Sequence, residues 1–207
     1  EPLYANYLAV TGIDHPGRDE VIAAGELDWR VVVAELTGPV PDGARVFYQK
    51  HMAHHLLPDI DRAWVAGLAN VLLIRDPREV VASYVRAREH VTAEDIGLPQ
   101  QVALYDELAA AGAAPPVLDA AEVLRDPEGH LRALCDHMAV EFTPRMLAWP
   151  PGPRPSDGVW GRHWYEAVWR STGFAPYTPR NPVLSGAHAA VAEECLPLYE
   201  RLLALTK

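Results

Sequence analysis

Residues 70–74, NVLLI, run straight into RDPRE. A short continuous run of leucine and β-branched residues closed by a charged turn is the pattern of a strand buried on both faces, as in the centre of a parallel sheet. Asp76 then stands at an N-cap, Pro77 in the first turn, and Glu79 where a capping box needs its partner. That arrangement predicts a helix from Pro77 to about His90. A buried strand feeding directly into a helix restricts the chain to an α/β architecture, because parallel strands are joined by crossovers lying over the sheet.

The rest of the chain fits that alternation. PPVLD (115–119) and RVFYQK (45–50) predict further strands. Helices are expected at 3–10, 18–25, around 59–67, at 99–111, at 126–140 behind a second Asp-Pro opening, and at 185–205, where Pro197 introduces a kink. HMAHHLL (51–57) reads as a short helix broken at Pro58. The valines at 31–33 suit a strand as well as a helix; Asp28 as cap and Gly38 as stop favour the helix. Residues 150–182, rich in Pro, Gly and Trp, form a long loop with a helical segment near 162–170, and loops of that length inside a domain usually serve function.

With 207 residues, 49% hydrophobic and 22% charged, the chain suits one globular domain. A net charge of −10 disfavours nucleic acid and the membrane surface as partners, so any anion site must be a local cluster of cations. Cys135 and Cys195 both fall at core spacing on helices and read as small buried hydrophobes, which fits a reducing, cytoplasmic setting. No run of about 18 apolar residues is present.

In open parallel sheets, ligands bind beyond the carboxyl ends of the strands, where Lys50 and Arg75 both fall. Arg75 precedes a helix N-terminus, whose unpaired N–H groups and dipole favour an anion. Ser83, two turns along, sits at the margin of the apolar stripe of Val80, Val81, Tyr84 and Val85. The pair reads as a clamp for one phosphate; the bland alternative is a surface arginine paired with Asp76 or Glu79. The chain carries its own control: Arg125-Asp126-Pro127 repeats the opening, but Ala133 stands eight residues on, so Arg-Asp-Pro alone is only a good helix start.

In YQKHMAHHLLP (48–58), Lys50 could neutralise a transferred group and His51 could accept a proton. His51 and His55 lie four apart, but the zinc-protease pattern needs Glu at 52, which is Met, and no third ligand is near. Packing or capping at a helix start is the other reading, above all for His54 and His55. Gly158 and Gly161, three apart and followed by Arg162, allow close backbone approach to a ligand. Trp160 could stack on a planar base or join the core; Trp164 and Trp169 read as core.

Together these segments resemble the PAPS-dependent sulfotransferases, strongest at 70–86 and spanning most of the chain. The resemblance implies a three-layer P-loop-NTPase-like fold, a central parallel sheet flanked by helices. It implies transfer of a sulfuryl group from PAPS (3′-phosphoadenosine 5′-phosphosulfate) to a hydroxyl or amine of a small-molecule acceptor, without a metal. Arg75 and Ser83 match the pair that holds the nucleotide 3′-phosphate. Lys50 and His51 occupy the place of the sulfuryl-binding lysine and the base; here they are adjacent, whereas many relatives have one residue between, so His54 or His55 could be the base. Gly158-Val-Trp-Gly161 with Arg162 looks like the segment that covers the nucleotide, with Asp157 where a basic residue is usual. The family's phosphate-binding loop does not occur in these residues, and the expectation is that it and its strand lie upstream of Glu1. A P-loop kinase-like phosphotransferase and a catalytically incomplete nucleotide-binding scaffold are the competing readings. The acceptor pocket is expected from 3–10, 92–105 and 145–180.

Overall fold

The computed structural model describes residues 1–86 and 88–206, all but Asp42 to the side chain. The chain divides into two compact units, one of Glu1–Leu68 with Pro153–Glu166, the other of Ala69–Gly152 with the residues from Ala167 on.

The first unit is helical. It contains α1 (Tyr4–Thr11), α2 (Arg18–Ala24), α3 (Trp29–Leu36) and, after an excursion of chain, α9 (Gly161–Trp164). Asp28 caps α3 by accepting from the Arg30 N–H, so the cap signal decided between helix and strand for the valines. The core gathers Tyr4, Ala5, Tyr7, Leu8 and Val21, with Leu57 and Trp160 packed against it. Residues 45–50, expected as a strand, form none: Val46, Phe47 and Tyr48 are exposed and no strand pairs with them. The expected helix at 51–57 shortens to a single 3-10 turn, Ala53–His55, and the one near 59–67 to Ala63–Gly67.

The second unit is mixed α/β. A two-stranded parallel sheet pairs β1 (Leu72–Ile74) with β2 (Val117–Asp119), with Leu72 opposite Val117 and Ile74 opposite Asp119. Between them run α4 (Pro77–Tyr84), α5 (Ala93–Ile96) and α6 (Leu98–Ala110). After β2 come α7 (Ala120–Arg125), α8 (Pro127–His137), α10 (Glu166–Arg170) and α11 (Gly186–Leu203), the last with Pro197 inside it. Helix α11 lies against α4, α5, α6 and both strands. Cys135 and Cys195 are buried free thiols.

Two expectations for the central motif are corrected. Strand β1 is buried on one face only: Leu72 and Ile74 are buried while Leu73 is 57% exposed. Helix α4 stops at Tyr84, not near His90, because the chain turns back to bury Val91 beside Val81 and Ala192. Thr92 and Asp95 then open α5 with a full capping box, a helix the periodicity had not indicated.

Candidate active site

In the first unit, irregular chain delivers Lys50 to Glu1. The Lys50 ammonium donates to Glu1 Oε1 at 2.5 Å, and the Tyr165 hydroxyl donates to the same oxygen at 3.4 Å. The Lys50 Nζ also lies 5.6 Å from the centre of the Tyr165 ring. Burial is the largest influence on this lysine and pulls its pKa down, but the Glu1 carboxylate, through charge and hydrogen bond, and then Tyr165 carry the net shift upward. Lys50 is therefore protonated at neutral pH.

His51 lies alongside. Gln49 donates its Nε2 to the Leu36 carbonyl at 2.8 Å, which turns Gln49 Oε1 toward His51 Nε2 at 3.2 Å. An amide oxygen only accepts, so His51 Nε2 carries the proton and Nδ1 keeps its lone pair. Burial is the largest influence on the imidazole and holds its pKa down to about 4. His51 is a neutral imidazole at pH 7, in the protonation state of a base.

His54 and His55 are buried in the core. His55 stacks on Tyr4 with ring centres 4.8 Å apart and planes 8° from parallel, and His54 meets it edge-on at 4.5 Å. Both are buried, which suits packing and removes them from the solvent side where Lys50 sits. Among the described residues no group of three or more His, Cys, Asp or Glu is placed to hold a metal ion.

The Gly158–Gly161 segment is a tight turn, its Gly161 N–H donating to the Gly158 carbonyl at 2.8 Å. The Trp160 ring folds back over Gly158, where any Cβ would collide with it. The same ring meets Tyr4 edge-on at 5.7 Å, so Trp160, partly buried, packs against the core. Asp157, in the place of the usual basic residue, accepts from the Arg154 N–H at 2.8 Å. Arg162 pairs with Glu20 of α2.

In the second unit, β1 ends at Ile74 and the next two residues change the chemistry. Asp76 caps α4 by accepting from the Arg78 N–H at 2.9 Å, and the Arg78 guanidinium forks onto the same carboxylate. Burial alone would raise the Asp76 pKa, but the bonds from Arg78 outweigh it and hold the pKa low. Glu79 does not close the expected capping box: its Oε2 accepts from Arg75 Nε at 3.0 Å and Nη2 at 2.6 Å. Those bonds occupy two of the five N–H groups of the guanidinium, and the Arg75 side chain remains 41% exposed. Ser83 is exposed in the last turn of α4.

The residue opposite Ile74 lies outside every motif singled out in the sequence. Asp119 is buried at the end of β2, accepts from the Ala121 and Glu122 N–H groups with Oδ1, and takes the Tyr199 hydroxyl on Oδ2 at 2.8 Å. An Asp between an apolar strand and Ala-Ala-Glu is a readable cap; its partner, 80 residues away, is not. The same unit holds an open cavity of about 480 Å³ lined by Leu124, Phe174, Pro176 and Tyr177, with Arg125 over the Tyr177 ring at 4.4 Å.

The candidate residues thus fall in both units: Lys50, His51, Gly158, Trp160, Gly161 and Arg162 in the first, Arg75 and Ser83 in the second. Among the described residues, no helix is long and apolar enough to cross a membrane.

No solved structure matches the chain. Two curated proteins of Arabidopsis thaliana do. Branched-chain-amino-acid aminotransferase-like protein 2 is 35% identical over 203 residues, which is 98% of this chain and 36% of that protein. Branched-chain-amino-acid aminotransferase-like protein 1 is 36% identical over the same share of each. The chain spans about a third of the length of these relatives. A family profile described as a sulfotransferase domain matches residues 1–205, the whole of both units but for the last two residues, and by that match the chain belongs to the sulfotransferase domain family.

Proposed function

We propose that the chain transfers a sulfuryl group from PAPS to a hydroxyl or amine of a small-molecule acceptor, on a three-layer P-loop-like fold. The observation that carries this reading is the sulfotransferase-domain match across residues 1–205. The donor set agrees in chemistry. Arg75, with three N–H groups beyond those given to Glu79, and the exposed Ser83 hydroxyl bind the 3′-phosphate of the donor. Lys50 neutralises charge on the sulfuryl oxygens. Gly158, Trp160, Gly161 and Arg162 form the segment that covers the nucleotide.

In the reaction, the sulfur–oxygen bond to the donor's 5′-phosphate breaks while a new bond from sulfur to the acceptor oxygen or nitrogen forms. The acceptor proton passes to His51 Nδ1, and adenosine 3′,5′-bisphosphate leaves. Catalysis of such a step is chiefly positioning and charge neutralisation, which a fixed ammonium and a neutral imidazole can supply. Two buried free cysteines suit a reducing compartment, and we place the protein in the cytoplasm.

The names of the plant relatives point to amino-acid chemistry, but in proteins nearly three times as long. An aminotransferase of the Schiff-base type needs a lysine that gives up its proton readily. Lys50, the only lysine besides Lys207, is instead held protonated by Glu1. Its environment favours neutralising an anion.

One observation favours a second reading, nucleotide binding without turnover: Arg75 and Lys50 each already have a carboxylate partner. The deciding experiment supplies radiolabelled PAPS with a panel of hydroxyl and amine acceptors, and measures nucleotide affinity in parallel. Labelled product that disappears in Lys50→Met supports the transferase. An Arg75→Ala loss confined to the 3′-phosphorylated nucleotide supports the clamp, whereas equal losses for the 3′-dephospho analogue reject it. Affinity without turnover supports the scaffold, and Mg²⁺-dependent turnover indifferent to the 3′-phosphate would make the protein a phosphotransferase.

A further inference from the structure

Three segments far apart in sequence meet at the Lys50 side chain. Glu1 is only 11% exposed on its side chain, whereas Lys50 is 48% exposed, so the carboxylate is the buried member of the pair and Lys50 the solvent-facing one. Tyr165 also holds the carboxylate, donating to the oxygen that Lys50 uses. Tyr165 is in turn fixed by the glycine turn: its N–H donates to the Gly161 carbonyl at 2.7 Å, and the Gly161 N–H donates to the Gly158 carbonyl. A hydrogen-bonded path therefore runs from Gly158 through Gly161, Tyr165 and Glu1 to the Lys50 ammonium.

We propose that Glu1 and Tyr165 are positioning residues for Lys50, fixing its ammonium where an anionic oxygen of the transferred group meets it, and coupling that position to the Gly158–Gly161 turn. The inference rests on the sulfuryl-transfer reading of Lys50. A lysine is a point charge on a four-carbon stem and loses considerable rotamer freedom when it must hold one place. Pairing with Glu1 removes that freedom before any ligand arrives. The ammonium has three N–H groups, and the one given to Glu1 leaves it able to donate to an incoming anion as well.

The test separates positioning from simple charge. Glu1→Gln removes a negative charge next to the ammonium but keeps the side chain's size. Ground-state attraction for an anionic donor then rises, so the KM for PAPS stays level or falls, while kcat drops by about 10- to 100-fold as the ammonium loses its place. Tyr165→Phe gives a smaller drop in kcat, and Glu1→Asp, which keeps the charge, recovers part of the loss. A residue needed only for folding would raise KM and lower thermal stability together. A contact that merely blocks Lys50 would raise kcat on removal.

A second measurement needs no turnover. With only two lysines in the chain, a protein grown on lysine labelled with ¹³C at Cε gives two signals, assigned with Lys50→Arg. The Lys50 signal titrates above the ordinary value of 10.5 in the wild type, and its midpoint falls in Glu1→Gln and, by less, in Tyr165→Phe. A midpoint unmoved by either substitution overturns the positioning role. If the midpoint moves as stated and Lys50→Met still transfers sulfuryl groups at the wild-type rate, the pairing stands and the function assigned to Lys50 fails.

Discussion

The Tyr199 hydroxyl of α11 donates to Asp119 Oδ2 at the end of β2, 2.8 Å away, while the other oxygen of that carboxylate caps α7. One buried side chain thus ties the last helix to the sheet edge and starts the next helix. Tyr199→Phe removes a single bond to a charged acceptor and is expected to lower the unfolding free energy by about 1–2 kcal/mol in urea. Asp119→Ala, which also strands two N–H groups, should cost more. The pH dependence has a definite sign. Burial first, then the hydrogen bond to Asp119, raises the Tyr199 pKa above 10.0. Above pH 10 the unfolded chain therefore sheds a proton that the folded one keeps, and stability falls as pH rises. In Tyr199→Phe that part of the alkaline loss should vanish.

Glu79 predicts the behaviour of the arginine it holds. Its Oε2 takes two bonds from Arg75, so a phosphate binding there must share or displace a carboxylate. Glu79→Gln keeps the shape and weakens the competitor. Affinity for adenosine 3′,5′-bisphosphate, measured by calorimetry, should rise by about 3- to 10-fold, with little change for the 3′-dephospho nucleotide. A fall in affinity would mean that Glu79 orients the guanidinium for the ligand instead of competing with it.

How much of this could be read in advance depends on the range of the forces involved. The turn from β1 into α4 was legible because its cap and proline act within four residues. At the same spot the sequence left Glu79 two nearby partners, the capping box and Arg75, and the charge-assisted fork onto Arg75 is the one that forms. RVFYQK has the residue types of a strand, but a strand exists through its neighbour, and no neighbour is within any local window. Likewise Cys135 and Cys195 announced their burial by helical spacing, whereas Glu1 and Lys50, 49 positions apart, announced nothing. The glycines at 158 and 161 read as places where backbone could lie close to a ligand; at Gly158 the group that lies close is the protein's own Trp160 ring.

That approach gives a stability prediction. A methyl group at 158 meets the Trp160 ring, which is held against Tyr4 in the core of the first unit. Gly158→Ala is expected to destabilise the protein by about 1–3 kcal/mol, the range for overpacking. Gly67→Ala is the control: no atom lies within 4 Å of its would-be Cβ, and the change should stay under about 0.5 kcal/mol. Tryptophan fluorescence during urea unfolding reads both. Similar effects at the two sites would show that Trp160 can move aside freely.

The histidines of the first unit set its acid limit. Burial holds the His51 pKa down to about 4, and burial, then the neighbouring His54 and His15, hold the His55 pKa well below 6.5. His54, His15 and Lys50 all act on His55 in the same direction, against its charged form, and the rings of Tyr4 and Tyr7 pack on it. Between pH 6.5 and about 4 the unfolded chain binds protons that the folded chain refuses, so stability rises with pH across that window and is fully present above it. Urea midpoints should therefore drop as pH is lowered from 7 toward 4. In His55→Phe, which keeps a flat ring against Tyr4 and Tyr7 but cannot be protonated, the drop should be shallower at unchanged stability near pH 7. An equally steep drop in that variant would assign the acid sensitivity to His51 or to carboxylates elsewhere, and a parallel titration of His51→Phe would distinguish the two.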